Sequence, residues 1–134
     1  MSNRIFNQAL AIEKQVVHLY GSLLIGTTGA VTSIKGISIA SIVKETAAGL
    51  YTITLTDAYD RFLMFNATMN SNAVGGSATP TIELANDPAT MVADFKTKSF
   101  KIQLLDKTGA AANAVSGSVL YFEIIARRSS VGPA

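Results

Sequence analysis

The clearest order in this sequence is alternation. In Leu50-Tyr-Thr-Ile-Thr-Leu-Thr56 the apolar Tyr51, Ile53 and Leu55 fall on one face and Thr52, Thr54 and Thr56 on the other. That period of two predicts a half-buried strand. Ile37-Ser-Ile-Ala-Ser-Ile-Val43 reads as its partner. Between them, Thr46-Ala-Ala-Gly49 places a glycine where a turn needs positive φ, so the two runs predict a hairpin.

Strand signals recur at short intervals. Val16-Val-His-Leu-Tyr-Gly-Ser-Leu-Leu-Ile25 gives one, ended by Gly26-Thr-Thr-Gly29. Phe62 to Met69 is an apolar run bounded by Asp60 and Asn70-Ser-Asn72. Thr81-Ile-Glu-Leu84 alternates behind Pro80, which suits an edge or a first strand position. Phe100-Lys-Ile-Gln-Leu104 alternates into the turn signal Asp106-Lys-Thr-Gly109. Ser118 to Ala126 is the longest run of β-formers and is apolar on both faces, as a central strand or one in a subunit contact would be. Together these predict an all-β fold, an antiparallel β-sandwich or barrel of seven or eight strands.

Helical signals are sparse. Asp87-Pro-Ala-Thr-Met-Val-Ala-Asp94 has a capping residue followed by proline at the first helical position, which allows at most one short helix. Residues 1–14 read as an N-terminal arm, extended or partly helical, residues 15–128 as the sandwich domain, and residues 129–134 as a loose C-terminal tail. Ser71–Ala78 and Thr108–Ala114 read as mobile loops.

Composition narrows the class. The 134 residues are 49% apolar and only 15% charged, against a usual charged share of about 25%. Such a chain is far from the polar, charge-rich composition of disorder. With no Cys, no Trp and a single His, it excludes disulfide frameworks, cysteine nucleophiles and cysteine-bearing zinc sites. A net charge of +2 from scattered residues lacks the basic stripe that nucleic acid requires. Glu13 and Lys14 interrupt the N-terminal apolar stretch before any signal-peptide cleavage site. No segment approaches the roughly 18 apolar residues of a membrane-spanning helix. These features by themselves predict a protein made and kept in a cytoplasm.

Candidate chemistry is thin. His18 lies in a strand pattern, directed opposite to Val17 and Leu19, and reads as a histidine on a polar or subunit face. The carboxylates Asp57, Asp60, Asp87, Asp94 and Asp106 sit beside turn signals, where Asp is favoured for backbone capping. Glu83 and Glu123 lie within strands and read as solvent-facing or intersubunit positions. Gly21-Ser-Leu-Leu-Ile-Gly-Thr-Thr28 has phosphate-loop glycine spacing, but Thr27 stands where the motif requires Lys. The tyrosines Tyr20, Tyr51, Tyr59 and Tyr121 fit core or interface anchors better than a stacking platform. No catalytic site, cofactor site or metal site emerges.

The segment Val31-Thr-Ser-Ile-Lys-Gly-Ile-Ser-Ile-Ala-Ser-Ile-Val-Lys-Glu-Thr-Ala-Ala-Gly-Leu-Tyr-Thr-Ile-Thr-Leu-Thr-Asp-Ala-Tyr-Asp-Arg-Phe-Leu63 resembles small structural proteins of tailed bacteriophages. In that group a Lys-Gly and a β run lead to Gly-Leu-Tyr-Thr-Ile-Thr-Leu and then an Asp-x-Tyr turn. The ending, a long final strand closing in Ala126-Arg-Arg-Ser-Ser-Val131, is similar as well. The likeness covers about half of the chain, Val31–Leu63 and roughly Lys98–Val131.

The resemblance implies a capsid cement, or decoration, protein with a jelly-roll-like β-sandwich. Such a protein sits on the outer capsid surface as a dimer or trimer and bridges neighbouring copies of the major capsid protein. It implies no enzyme activity, no cofactor, no direct nucleic-acid contact and no membrane. The arm residues Arg4, Ile5, Phe6 and Leu10, and the strand-end pair Arg127 and Arg128, are the expected partner contacts. A tail, baseplate or head-fibre module that presents the sandwich to host-surface glycans is the alternative.

Overall fold

Alternation along each strand sorts the side chains of this chain into one interior and two outer faces. The computed structural model describes residues 16–59, 61–72, 81–86 and 98–127. Among these described residues eight strands are formed: β1 (Val16–Ile25), β2 (Val31–Gly36), β3 (Ile39–Lys44), β4 (Leu50–Leu55), β5 (Arg61–Asn70), β6 (Thr81–Leu84), β7 (Ser99–Leu105) and β8 (Val119–Arg127). One 3₁₀ turn, Thr27–Gly29, follows β1. The strands make two four-stranded sheets, ordered β2-β1-β8-β5 and β3-β4-β7-β6, with every pairing antiparallel.

The expected antiparallel sandwich is therefore present. As in a jelly roll, the first strand closes against the last, β1 on β8. The strand order, which no local pattern specifies, also keeps three hairpins (β1–β2, β3–β4 and β6–β7) inside single sheets. The remaining connections cross between the sheets.

The inner faces interlock as one core. Leu19, Leu23 and Ile25 of β1 and Leu120, Phe122, Ile124 and Ala126 of β8 come from one sheet. Tyr51, Ile53 and Leu55 of β4 and Phe100, Ile102 and Leu104 of β7 come from the other. The ring of Phe65 on β5 meets Phe100 edge-on at 5.8 Å, joining the two sheets by an aromatic contact.

β2 is the strand that the hydrophobic pattern does not single out. Val31 and Ile34 are three residues apart, which breaks a period of two. The pairing absorbs the mismatch as a register shift: Leu23 faces Ile34 and Leu24 faces Ser33, but Ile25 faces Val31. The extra residue bulges, as in other antiparallel pairs. The run Ile37–Val43 begins its strand later than expected. Ile37 is 67% exposed and Ser38 has φ 64°, forming the corner where the chain leaves one sheet for the other.

The β3–β4 hairpin forms as the sequence predicts, with Gly49 at φ 68°. A Cβ there would lie 2.3 Å from the Ala112 carbonyl oxygen, so the turn also requires the absence of a side chain. That contact belongs to a loop expected to be mobile, and the structure corrects the expectation. Asp106 Oδ1 accepts hydrogen bonds from the Thr108 amide, the Thr108 hydroxyl and the Ala110 amide. Leu105 bridges Ala111, Asn113 Oδ1 accepts from the Gly49 amide at 2.8 Å, and Ala114 is buried. The arm, the tail, the 87–94 helix candidate and most of the 71–78 loop lie outside the described residues.

Candidate interaction face

The two outer faces of the sandwich differ in chemistry. Outside the β3-β4-β7-β6 sheet, the alternating positions are mainly polar, Ser41, Thr52, Thr54, Glu83, Lys101 and Gln103, with Val43 an exposed apolar side chain among them. Outside the β2-β1-β8-β5 sheet, the central strands carry rings and aliphatic groups. Register pairs Leu24 with Val119, Ser22 with Tyr121, Tyr20 with Glu123 and His18 with Ile125. On β5, Met64 lies beside Ile125 and Thr68 beside Tyr121. Tyr20 is 52% exposed, Tyr121 51% and Met64 48%.

This arrangement follows from what lies beneath it. Tyr20 points outward because Leu19 and Gly21 point in. Gly21 has no side chain, and the Phe122 ring fills the space, with Cζ 2.5 Å from where a Cβ would stand. Phe122 is held from the other side by Phe65, their ring centroids 6.0 Å apart. The two central strands are thus rigidly backed while their tyrosines face solvent.

Between the tyrosines lies a shallow hollow of about 440 Å³, lined by Tyr20, Asn66, Thr68, Tyr121 and Glu123. A second, of about 300 Å³, is bounded by Leu24, Lys35, Val119 and Tyr121. His18 Nδ1 and Glu123 Oε1 are 3.0 Å apart, and the imidazole stacks beside Tyr20 with ring centroids 6.4 Å apart. Glu123, which the sequence left without a partner, is thereby assigned one within the same chain.

Chemically, the face offers contact area and a few hydrogen-bonding groups. Among the described residues no three metal-ligating side chains come together. Tyr51 is fully buried, and its hydroxyl donates to the Gly29 carbonyl at 2.5 Å. Burial pushes that phenol up to about 12, so at neutral pH it holds its proton and serves the core. Asp106 is held below the usual carboxylate range by the hydrogen bonds of its own turn, from the Thr108 hydroxyl first and then from the Ala110 and Thr108 amides.

Of the expected contact residues, Arg127 is placed at the end of β8, half-buried, opposite Val16 and Arg61 in register. Arg4, Ile5, Phe6, Leu10 and Arg128 lie outside the described residues. Tyr20 and Tyr121, which the sequence offers as core or interface anchors without choosing between the two, come together on the exposed face, whereas Tyr51 and Tyr59 are buried. The signal for this grouping was present in part, since β8 is apolar on both faces, and the structure places that strand centrally between β1 and β5. Comparison with protein-family models, with curated proteins and with solved structures finds no match for this chain.

Proposed function

We propose that this protein is a non-enzymatic structural protein of a tailed-phage virion. On this reading it oligomerises on the outside of the head and cements neighbouring major capsid protein subunits against internal DNA pressure. The observation that carries the proposal is the contrast between the outer faces: one mainly polar, with an exposed valine, Val43, the other centred on half-exposed Tyr20 and Tyr121 with Met64 beside them. Tyrosine is enriched at the centres of protein interfaces because it brings large area at low entropic cost. A rigid sandwich with such a face is suited to binding a surface without transforming it. Many copies in symmetric positions would turn modest contacts into a strong shell. The resemblance of Val31–Leu63 and Lys98–Val131 to phage structural proteins supports the same reading.

The test is capsid stability. Heads lacking the protein should release DNA at lower temperature or milder osmotic shock, and adding the purified protein back should restore them. Equal survival with and without it rejects cementing.

One feature favours a second reading, a tail, baseplate or head-fibre module for host-surface glycans. The hollow between Tyr20 and Tyr121 also holds Asn66, Thr68 and Glu123, and rings beside amide, hydroxyl and carboxylate groups suit a sugar. Binding on a glycan array, without rebinding to heads, would establish that reading over cementing.

A further inference from the structure

We propose that β5 is the seam through which two copies of this chain join, pairing antiparallel with each other so that the β2-β1-β8-β5 sheets merge into one. The inference deepens the oligomeric part of the reading above by naming the edge that would carry it. β5 pairs with β8 alone among the described strands, and no other described strand lies along its far edge. It is ten residues long, Arg61-Phe-Leu-Met-Phe-Asn-Ala-Thr-Met-Asn70, with no charge from Phe62 onward and no proline. Natural sheets usually blunt such an edge with lysine, proline, brevity or a bulge. The other three edges follow that rule. β6 has four residues, β2 has six and carries Lys35, and β3 has six, ends in Lys44 and is bulged at Ile39/Ser41. β5 has a bulge only at its start, between Phe62 and Met64, and its exposed Leu63 and Met64 stand there.

A second copy is the occupant that this edge fits. Antiparallel pairing of identical strands about a two-fold axis is self-complementary, each residue meeting its counterpart's partner. The uncharged run places no like charges across the seam. Two ten-residue strands would exchange roughly eight to ten backbone hydrogen bonds, within the range of a standard interface. The pairing would also align the outer faces of the two copies. Tyr20 and Tyr121 of each would then lie on the same side of one eight-stranded sheet, doubling the contact face.

Sedimentation equilibrium of the purified protein at micromolar concentration should give twice the chain mass. The double variant Leu63→Lys/Thr68→Lys changes two exposed side chains and should sediment at the single-chain mass with unchanged far-UV circular dichroism. Because the chain has no cysteine, Met64→Cys, Asn66→Cys, Thr68→Cys and Asn70→Cys each supply a single thiol on the outer row of β5. Oxidation should join two copies most efficiently at one of these positions, with yield falling on either side. A monomeric wild-type protein overturns the inference, as does a dimer whose β5 thiols never cross-link. If the lysine variant fails to fold, the cysteine series decides by itself. Head protection is scored separately, so a monomer that still protects heads would reject the seam and leave cementing standing.

Discussion

His18 Nδ1 donates a 3.0 Å hydrogen bond to Glu123 Oε1, tying β1 to β8 on the tyrosine-bearing face. The contact is diagonal, since His18 stands opposite Ile125 and Glu123 opposite Tyr20. Both side chains reach solvent, at 48% and 29% exposure, so water and salt screen the pair. His18→Ala should lower the unfolding free energy by less than about 1 kcal/mol in a urea titration. A larger loss would mean that the pair organises the first and last strands rather than decorating them.

The exposed tyrosines should separate stability from contact. Tyr20→Ser and Tyr121→Ser remove outward rings and should each leave the unfolding free energy within about 0.5 kcal/mol of wild type. Rebinding of the double variant to heads lacking the protein should weaken at least tenfold, since central aromatic anchors cost about 2 kcal/mol when truncated. Unchanged rebinding would remove this face from the cementing contact.

Gly21 and Phe122 should behave as one unit. With Phe122 Cζ 2.5 Å from the added Cβ position and the ring enclosed by the core, Gly21→Ala should destabilise by roughly 1–3 kcal/mol through overpacking. Phe122→Leu leaves a void, so the double variant should cost less than the sum of the two. A double-mutant cycle by thermal or chemical unfolding reads that coupling.

Tyr51 predicts a loss of stability in alkali. Its folded-state value is pushed up to about 12 from an ordinary 10.0 by burial. The unfolded chain therefore releases this proton first as pH rises. The stabilisation is complete below pH 10 and is lost between there and pH 12, at up to about 1.4 kcal/mol per pH unit. Tyr51→Phe cannot ionise. The wild-type advantage over this variant, which includes the hydrogen bond to Gly29, should shrink across that window in parallel urea titrations.

Asp106 predicts the opposite sign at low pH. The turn holds its carboxylate below the ordinary value, so its contribution is present above the unfolded value and is lost as pH falls through the folded one. Hydrogen exchange at the Thr108 and Ala110 amides, corrected for intrinsic pH dependence, should lose protection as Asp106 protonates. Asp106→Ala should abolish that protection at neutral pH. Because Asn113 and Ala111 pin the same loop, the rest of the domain should stay folded.

What the sequence determined by itself is local. The alternation of Tyr51, Ile53 and Leu55 with threonines specifies a strand with one buried face, and Gly49 specifies its turn, because side-chain direction and backbone φ depend on a few neighbouring residues. The same logic failed at β2, where Val31 and Ile34 are out of phase until a bulge against β1 restores them. It also failed at Thr108–Ala114, whose small residues look loose but are held by Asp106 and Gly49. Only the tertiary structure decided that β8 lies between β1 and β5, which brings Tyr20 and Tyr121 to one hollow and Glu123 to His18 across 105 residues. Strand pairing is made by backbone groups that every residue carries, so no side-chain pattern names the partner. The choice is made when both faces of the sandwich bury their apolar rows together. The exposed tyrosines of the chain acquire a common location only then, on the outer face of one sheet.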